Sequence, residues 1–134
     1  MNWYKNSQTD MVQDISIWLD DLRDPRNPDI QRTKGSTGQE IWVKTVAEAI
    51  KWLDTGRVAS ISLDNDLGDG QPEGRVVADY IEKQAFLGEL HKLQWNVHSD
   101  NAPAARNMLI ALQNADRYWE QNTGELSDDN SFNM

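Results

Sequence analysis

The 134-residue sequence contains no cysteine and no long apolar run. Without cysteine the chain can form no disulfide, zinc–thiolate site or iron–sulfur cluster, and it has no cysteine nucleophile. No segment approaches the roughly 20 apolar residues that a membrane-spanning helix needs. The polar segment 1–14 also lacks the apolar core of a signal peptide. We therefore expect a cytoplasmic protein that does not bind membranes.

Basic residues are scarce as well. Lys and Arg together number 13 against 22 Asp and Glu, which gives a formal net charge of −9. A surface of this sign repels the phosphate backbone of nucleic acids. We therefore expect no non-specific binding of duplex DNA. A small phosphate ligand, held through a metal ion or a local arginine, is compatible with this charge.

The length suits a single domain. Residues 120–134 carry four acidic residues and no basic one, and they are rich in Asn, Ser and Gly. This composition is typical of a disordered tail. We predict a loosely ordered N-terminus at 1–10, a folded domain at 11–119 and an acidic disordered tail at 120–134.

Strand-like runs alternate with helical patterns along the predicted domain. Four runs are rich in apolar, β-branched or aromatic residues: 15–19, 41–43, 58–63 and 93–98. Helical spacing follows three of them, at 45–56, 72–88 and 103–119, whereas 20–40 has no convincing apolar period. This alternation predicts an α/β fold with a parallel sheet and right-handed crossovers. The first and third runs are apolar enough for central strands, and the fourth suits an edge.

Polar residues follow three of the predicted strands. These residues are Asp20, Asp21 and Arg23 after the first, Asp64 and Asp66 after the third, and His98, Ser99 and Asn101 after the fourth. Ligands of open parallel sheets bind beyond the carboxyl ends of the strands, where the strand order reverses. With the order 2-1-3-4, the four carboxylates share one pocket. Clustered carboxylates favour Mg²⁺ or Mn²⁺.

The other polar residues suit phosphate chemistry. The guanidinium of Arg23 can bind a phosphate oxygen, and His98 can move protons near neutral pH. Ser99 and Asn101 lead into a helix N-terminus, which favours an anion. The alternative interpretations are a solvated turn for the Asp pair and an ordinary edge-strand histidine for His98.

Three ordered motifs resemble the cyclic-phosphate processing receiver-like domain family, a trimmed relative of response-regulator receiver domains found in bacteria and phages. The motifs are Leu19–Arg23, Ser62–Gly68 and Val97–Asn101, with Arg106, Asn107 and Met108 beyond them. The resemblance covers about residues 14–114. It implies a three-layer, receiver-like (flavodoxin-like) α/β domain with about four parallel strands in the order 2-1-3-4. It also implies processing of a cyclic phosphate, such as an RNA 2′,3′-cyclic end or a cyclic nucleotide, in a bacterial cell or phage-infected host.

We therefore predict a metal-dependent phosphoesterase that acts on a cyclic phosphate. In this hypothesis Asp20, Asp21 and Asp64 hold Mg²⁺ or Mn²⁺, and Asp66 orients water. His98 acts as general acid or base. The phosphate is bound by Arg23, Ser99 and Asn101.

The sequence departs from the family pattern at two positions. Asn65 stands where the family usually has histidine, which leaves His98 as the only histidine of the motifs, and Ala104 replaces a common glycine. Two other functions stay open. One is a binder that sequesters a cyclic nucleotide or a protein partner. The other is a receiver domain phosphorylated on Asp64, with Ser99 as the switch hydroxyl, but it needs a lysine after a fifth strand that we do not predict.

Overall fold

The computed structural model of the chain describes the backbone of residues 12–131 and the side chains of residues 12–122. The predicted N-terminal segment 1–10 and the final residues 132–134 lie outside the described residues. Strands and helices alternate in the order β1 (Ile15–Leu19), α1 (Pro28–Lys34), β2 (Ile41–Val43), α2 (Val46–Leu53), β3 (Val58–Leu63), α3 (Arg75–Leu87), β4 (Gln94–Val97) and α4 (Ala102–Ser131).

The four strands form one parallel sheet in the order β2-β1-β3-β4. The predicted strand order is therefore confirmed, with β1 and β3 in the centre and β4 at an edge. Leu19 pairs with Val43 on β2 and with Leu63 on β3, and Leu63 pairs with Val97 on β4. This register brings the carboxyl ends of the three site-bearing strands to the same level of the sheet.

One face of the sheet carries the hydrophobic core. Because strand side chains alternate between faces, Ile15, Ile17 and Leu19 of β1 point to the same side. Ile61 and Leu63 of β3 join them in one buried cluster with apolar residues of three helices. The helical members of the cluster are Val46, Ala49 and Leu53 of α2, Val77, Ala78, Ile81 and Ala85 of α3, and Met108, Ala111, Leu112, Ala115 and Trp119 of α4.

The opposite face of the sheet is largely polar. It presents Ser16 and Trp18 of β1, Ser60 and Ser62 of β3, and Asn96 of β4. The register places Trp18 beside Ser62, and Ser62 beside Asn96. The connection from β1 to β2 moves across the sheet in the direction opposite to the connections from β2 to β3 and from β3 to β4. Because such crossovers are right-handed, α1 lies on the polar face of the sheet and α2 and α3 lie on the other face. This helix has seven residues, none of them buried, which agrees with the weak apolar pattern of 20–40.

Helix α4 is longer than its apolar stripe. Among its side chains up to residue 122, the last buried one is Trp119, but the helical backbone continues to Ser131. Residues 120–131 are therefore helical where composition favours disorder, and Glu120, Gln121 and Asn122 are exposed. The division into a domain at 11–119 and a separate tail stays a prediction. Within residues 12–131 no helix is long and apolar enough to cross a membrane.

Helix α3 begins at Arg75, after Gly74, rather than at Pro72 as the pattern suggests. Asn65 fixes this start, since its backbone oxygen accepts from the Gly74 amide at 2.8 Å and its Oδ1 accepts from the Arg75 amide at 3.1 Å. A Cβ atom on Gly74 would lie 1.8 Å from the backbone oxygen of Asp64. The end of β3 and the start of α3 can therefore approach this closely only with glycine at position 74.

We predict that Gly74→Ala strongly destabilises the fold, because backbone atoms of the Asp64 segment must move to admit the methyl group. The loss of unfolding free energy should exceed about 2 kcal/mol in urea titrations. Gly70→Ala is the control. Gly70 has φ +76, but a Cβ atom added there would have no neighbour within 4 Å, so its cost is limited to backbone strain of about 1 kcal/mol. Equal losses for both variants would contradict this account of Gly74.

Candidate metal centre

The candidate site is built by the residues that directly follow β1, β3 and β4. The parallel ladder continues by one rung beyond the strands, because the Asp20 amide bonds Val43 O at 3.1 Å, the Asp64 amide bonds Leu19 O at 3.0 Å and the His98 amide bonds Leu63 O at 3.0 Å. Alternation along each strand then directs Asp20, Asp64 and His98 to the polar face, together with Trp18 and Ser62.

Three carboxylates meet at this edge. Asp20, Asp21 and Asp64 each offer an oxygen atom within 4.8 Å of those of the other two. Asp20 and Asp64 are buried and Asp21 is half-buried. The predicted convergence of these three acids is therefore confirmed. They line a cavity of about 370 Å³ together with Leu22, Arg23, Asp66, Gly68 and Asp100.

Asp20 is completely buried, yet its environment favours the ionised form. Oδ1 accepts from the backbone amides of Leu22 and Arg23, both at 2.9 Å. Oδ2 accepts from His98 Nε2 at 3.0 Å and from Arg23 Nη1 at 3.2 Å. Burial by itself would raise the pKa of Asp20, but the hydrogen bonds from His98 and from Arg23 and Leu22 outweigh it and lower the pKa to about 2.

Asp64 is in the opposite electrostatic state. Burial, followed by the negative charge of Asp20, raises the pKa of Asp64 to about 6. The Asn65 amide, which donates to Asp64 Oδ1 at 2.8 Å, and the charge of Arg23 only partly offset this. Two adjacent acids whose pKa values lie this far apart form a site that gains stability from an added positive charge.

Arg23 partly neutralises the cluster. Its Nη1 lies 3.2 Å from Asp20 Oδ2 and 3.5 Å from Asp64 Oδ2, whereas its Nη2 lies 2.6 Å from Asp100 Oδ2. One guanidinium therefore connects the loops after all three site-bearing strands. Arg23 lines the cavity, as the prediction of a phosphate-binding role requires.

His98 is buried against Trp18 rather than exposed in the cavity. The two rings are stacked, with centroids 3.9 Å apart and planes inclined by 4°. Ser62 belongs to β3, the strand between β1, which carries Trp18, and β4, which precedes His98. Its small side chain leaves room for the two rings to stack. Because Asp20 is ionised, Nε2 carries the hydrogen of the His98–Asp20 bond, and Nδ1 lies 2.8 Å from Ser62 Oγ. Both ring nitrogens therefore have protein partners, and His98 reaches the cavity only through Asp20.

Ser99, Asn101 and Asp66 occupy different surroundings. Ser99 Oγ accepts from the Asn101 amide at 3.0 Å, and Asn101 Oδ1 accepts from the Ala104 amide at 3.2 Å. The two side chains therefore order the start of α4, and neither lines the acidic cavity. Asp66 lines the cavity, is exposed, and accepts from Asn65 Nδ2 at 3.1 Å. The predicted catalytic and phosphate-binding roles of these residues and of His98 stay predictions.

Sequence reasoning missed four residues that complete the site. Trp18 and Ser62 fix the ring of His98. Asp100 binds Arg23 at the mouth of the cavity, and Lys34 at the end of α1 binds the same carboxylate. Asp100 lies within the motif Val97–Asn101, so the sequence offered a reason to include it among the site residues. Nothing in the sequence links Lys34 to it.

The donor set fits a hard divalent cation. All three side chains offer carboxylate oxygens, which suit Mg²⁺ and Mn²⁺. Burial of Asp20 and Asp64 beside each other supplies the electrostatic reason for a cation. The cluster can therefore hold a metal ion, and its chemistry does not specify which one.

Comparison with known proteins identifies one family. The family model described as "Cyclic-phosphate processing Receiver domain" matches residues 15–114 of the chain. Searches of curated proteins and of solved structures found no match. The matched span begins with β1 and ends within α4, so it contains all three carboxylates and His98.

We predict that Asp64→Asn stabilises the metal-free protein at neutral pH. The folded-state pKa of Asp64, about 6, lies above the unfolded value of about 4. Ionisation therefore costs folding stability as the pH rises from 4 to 6, and the full cost is present above pH 6. The wild type should lose about 2 kcal/mol relative to the variant between pH 4 and pH 7, measured by urea unfolding with EDTA.

Asp69→Asn, which changes an exposed acid of the same loop, serves as the control and should leave the pH profile of the wild type unchanged. A wild type that is more stable than Asp64→Asn at pH 7 without metal would contradict the electrostatic description of the cluster.

Proposed function

The chain belongs to the cyclic-phosphate processing receiver domain family, and from this premise we propose that it is a metal-dependent phosphoesterase that opens a cyclic phosphate by hydrolysis. The observation that carries the proposal is the cluster of Asp20, Asp21 and Asp64, whose oxygens lie within 4.8 Å of one another in a cavity at the carboxyl edge of the sheet. The proposed substrate is an RNA 2′,3′-cyclic end or a cyclic nucleotide.

Asp20, Asp21 and Asp64 would hold Mg²⁺ or Mn²⁺. Such an ion supplies polarisation of a phosphate oxygen and favours deprotonation of a nearby water molecule. Asp20 is already ionised and is oriented by four donors, so binding of a cation requires no change in its charge. Asp64 becomes fully ionised when a cation approaches, because the added charge lowers its pKa.

The chemical step is the addition of water to the cyclic phosphorus. The water oxygen forms a bond to phosphorus, one ring P–O bond breaks, and the oxygen that leaves takes a proton to become a hydroxyl group. We assign Asp66 to orient the attacking water, since its carboxylate is exposed in the cavity and positioned by Asn65. Arg23 would bind a non-bridging phosphate oxygen through its guanidinium.

We propose that His98 contributes chiefly as a positioning residue for Asp20. Its ring has almost no exposed surface, and its Nε2–H holds the Asp20 oxygen that Arg23 also binds. Carboxylate ligands that are fixed by such outer partners bind metal ions more tightly. A role for His98 as general acid or base requires proton transfer through Asp20.

A non-catalytic binder is the second candidate function. The burial of His98 favours it, because no histidine of the described chain lines the acidic cavity. A phosphorylated receiver domain has less support, since the sheet of residues 12–131 has four strands and no fifth.

We expect the wild type to hydrolyse 2′,3′-cyclic nucleotides or 2′,3′-cyclic RNA ends in Mg²⁺ or Mn²⁺ and to be inactive with EDTA. Asp64→Asn should lose activity by at least about 100-fold, and its melting temperature should no longer rise with the metal. Product formation is measured by chromatography, with Asp69→Asn as the matched control. Binding of the cyclic phosphate without its hydrolysis in either metal would instead support the non-catalytic binder. A metal-independent rate would contradict the metal site.

We predict that His98→Asn reduces turnover by up to about 100-fold, because Asp20 loses the donor that positions it, whereas affinity for the cyclic phosphate stays within a few-fold. Its shorter amide cannot reach Asp20, so Mn²⁺ affinity should also fall, by about 10-fold. His98→Gln extends a donor toward Asp20 and should regain most of the Mn²⁺ affinity, measured by calorimetry. Equal Mn²⁺ affinity in the wild type and both variants would overturn the positioning role.

A further inference from the structure

Two cations and one carboxylate meet at the mouth of the acidic cavity. Arg23 Nη2 donates to Asp100 Oδ2 at 2.6 Å, and Lys34 Nζ donates to Asp100 Oδ1. Arg23 follows β1, Lys34 is the last residue of α1 and Asp100 precedes α4. The loop after β1, the end of α1 and the segment before α4 therefore converge on one exposed carboxylate.

The burial of these side chains is unequal. Asp100 is 66% exposed, whereas Arg23 is 27% and Lys34 is 20% exposed. Pairs that involve an exposed acid contribute little to folding stability, so stability alone does not account for two largely covered cations at this point. Without Asp100, both positive charges would face the same small volume beside the cavity.

The geometry of the contact resembles the recognition of a phosphate. The two cations bind different oxygens of the Asp100 carboxylate, and a cyclic phosphate likewise presents two non-bridging oxygens to donors on one side. Arginine binds phosphate groups through its planar fork, and lysine adds a compact positive charge. The hydrogen bond and charge of Lys34 lower the pKa of Asp100, so this carboxylate remains an anion.

The position also suits the chemistry proposed above. Arg23 contacts Asp20 and Asp64 through Nη1 and contacts Asp100 through Nη2. Asp100 lines the same cavity as the three carboxylates, so an anionic group in place of its carboxylate would be bound through Nη2 beside the proposed metal site. Ser99 and Asn101, on either side of Asp100, are held by bonds at the start of α4.

We propose that Arg23 and Lys34 together bind the phosphate of the substrate and that Asp100 occupies this phosphate site when no substrate is present. Lys34 is thus a further substrate-binding residue, and Asp100 is an internal competitor for the same two cations. This inference rests on the proposed function for its substrate, but phosphate binding tests it without turnover.

The experiment is calorimetric titration of the full chain with inorganic phosphate in the presence of Mg²⁺. We expect Lys34→Gln to weaken phosphate binding by about 10-fold. Asp100→Asn removes the competing charge and should strengthen binding by about three- to tenfold. In the double variant Lys34→Gln/Asp100→Asn this gain in phosphate affinity should be lost, because the lysine that Asp100→Asn would free for phosphate is absent. Lys51→Gln, which removes an exposed positive charge on α2, is the control for net charge and should bind like the wild type.

Asp100→Ser is a second variant that removes the competing carboxylate, and it should also bind phosphate more tightly than the wild type. Equal affinities for Lys34→Gln and Lys51→Gln, weaker binding by both Asp100 variants, or no phosphate binding by any protein would overturn the inference. Phosphate binding as predicted without hydrolysis of any cyclic phosphate would support the inference and refute the enzymatic proposal. Hydrolysis of a cyclic phosphate, together with equal phosphate affinities for Lys34→Gln and Lys51→Gln, would support the enzymatic proposal and refute this inference.

Discussion

The buried carboxylate of Asp20 is the constraint around which the site is arranged. An ionised acid without solvent contact is costly unless hydrogen bonds and opposite charge replace the lost water. Two backbone amides, His98 and Arg23 supply this replacement. His98 can do so only because Trp18 covers its ring and Ser62 bonds its other nitrogen. Satisfying one charge thereby fixes the loop after β1 and the end of β4.

Asp64 introduces the opposing requirement. It lies beside Asp20 on the neighbouring strand, where burial and repulsion make its ionised form unfavourable. Arg23 relieves part of this repulsion at 3.5 Å, and Asp21 adds a third oxygen donor. Such an arrangement lowers the folding stability of the protein as long as no cation binds the cluster. The protein tolerates it because Asn65 and Gly74 fasten the Asp64 segment to the start of α3.

Much of the fold followed from local patterns. Apolar runs and helical spacing predicted the alternation of strands and helices, and the family resemblance implied the strand order. Given that order, the rule for carboxyl ends of parallel strands predicted that Asp20, Asp21 and Asp64 meet. The same reasoning could not locate the ring of His98. Its stacking on Trp18 joins strands that are not neighbours and depends on the small side chain of Ser62 between them. The contact of Lys34 with Asp100 spans 66 residues and depends on the length of α1, which no periodicity reveals. The start of α3 depends on the absence of a side chain at position 74, which lets the backbone approach Asp64 closely. Beyond Trp119 the backbone is helical, whereas the composition of this segment predicted disorder.

The most direct test of the account is anomalous X-ray diffraction from crystals of the protein grown with Mn²⁺. We predict one Mn²⁺ peak in contact with carboxylate oxygens of Asp20, Asp21 and Asp64, with His98 still bonded to Asp20. A structure in which Mn²⁺ at saturating concentration leaves these three carboxylates unbound, with Arg23 as their sole cationic partner, would contradict it.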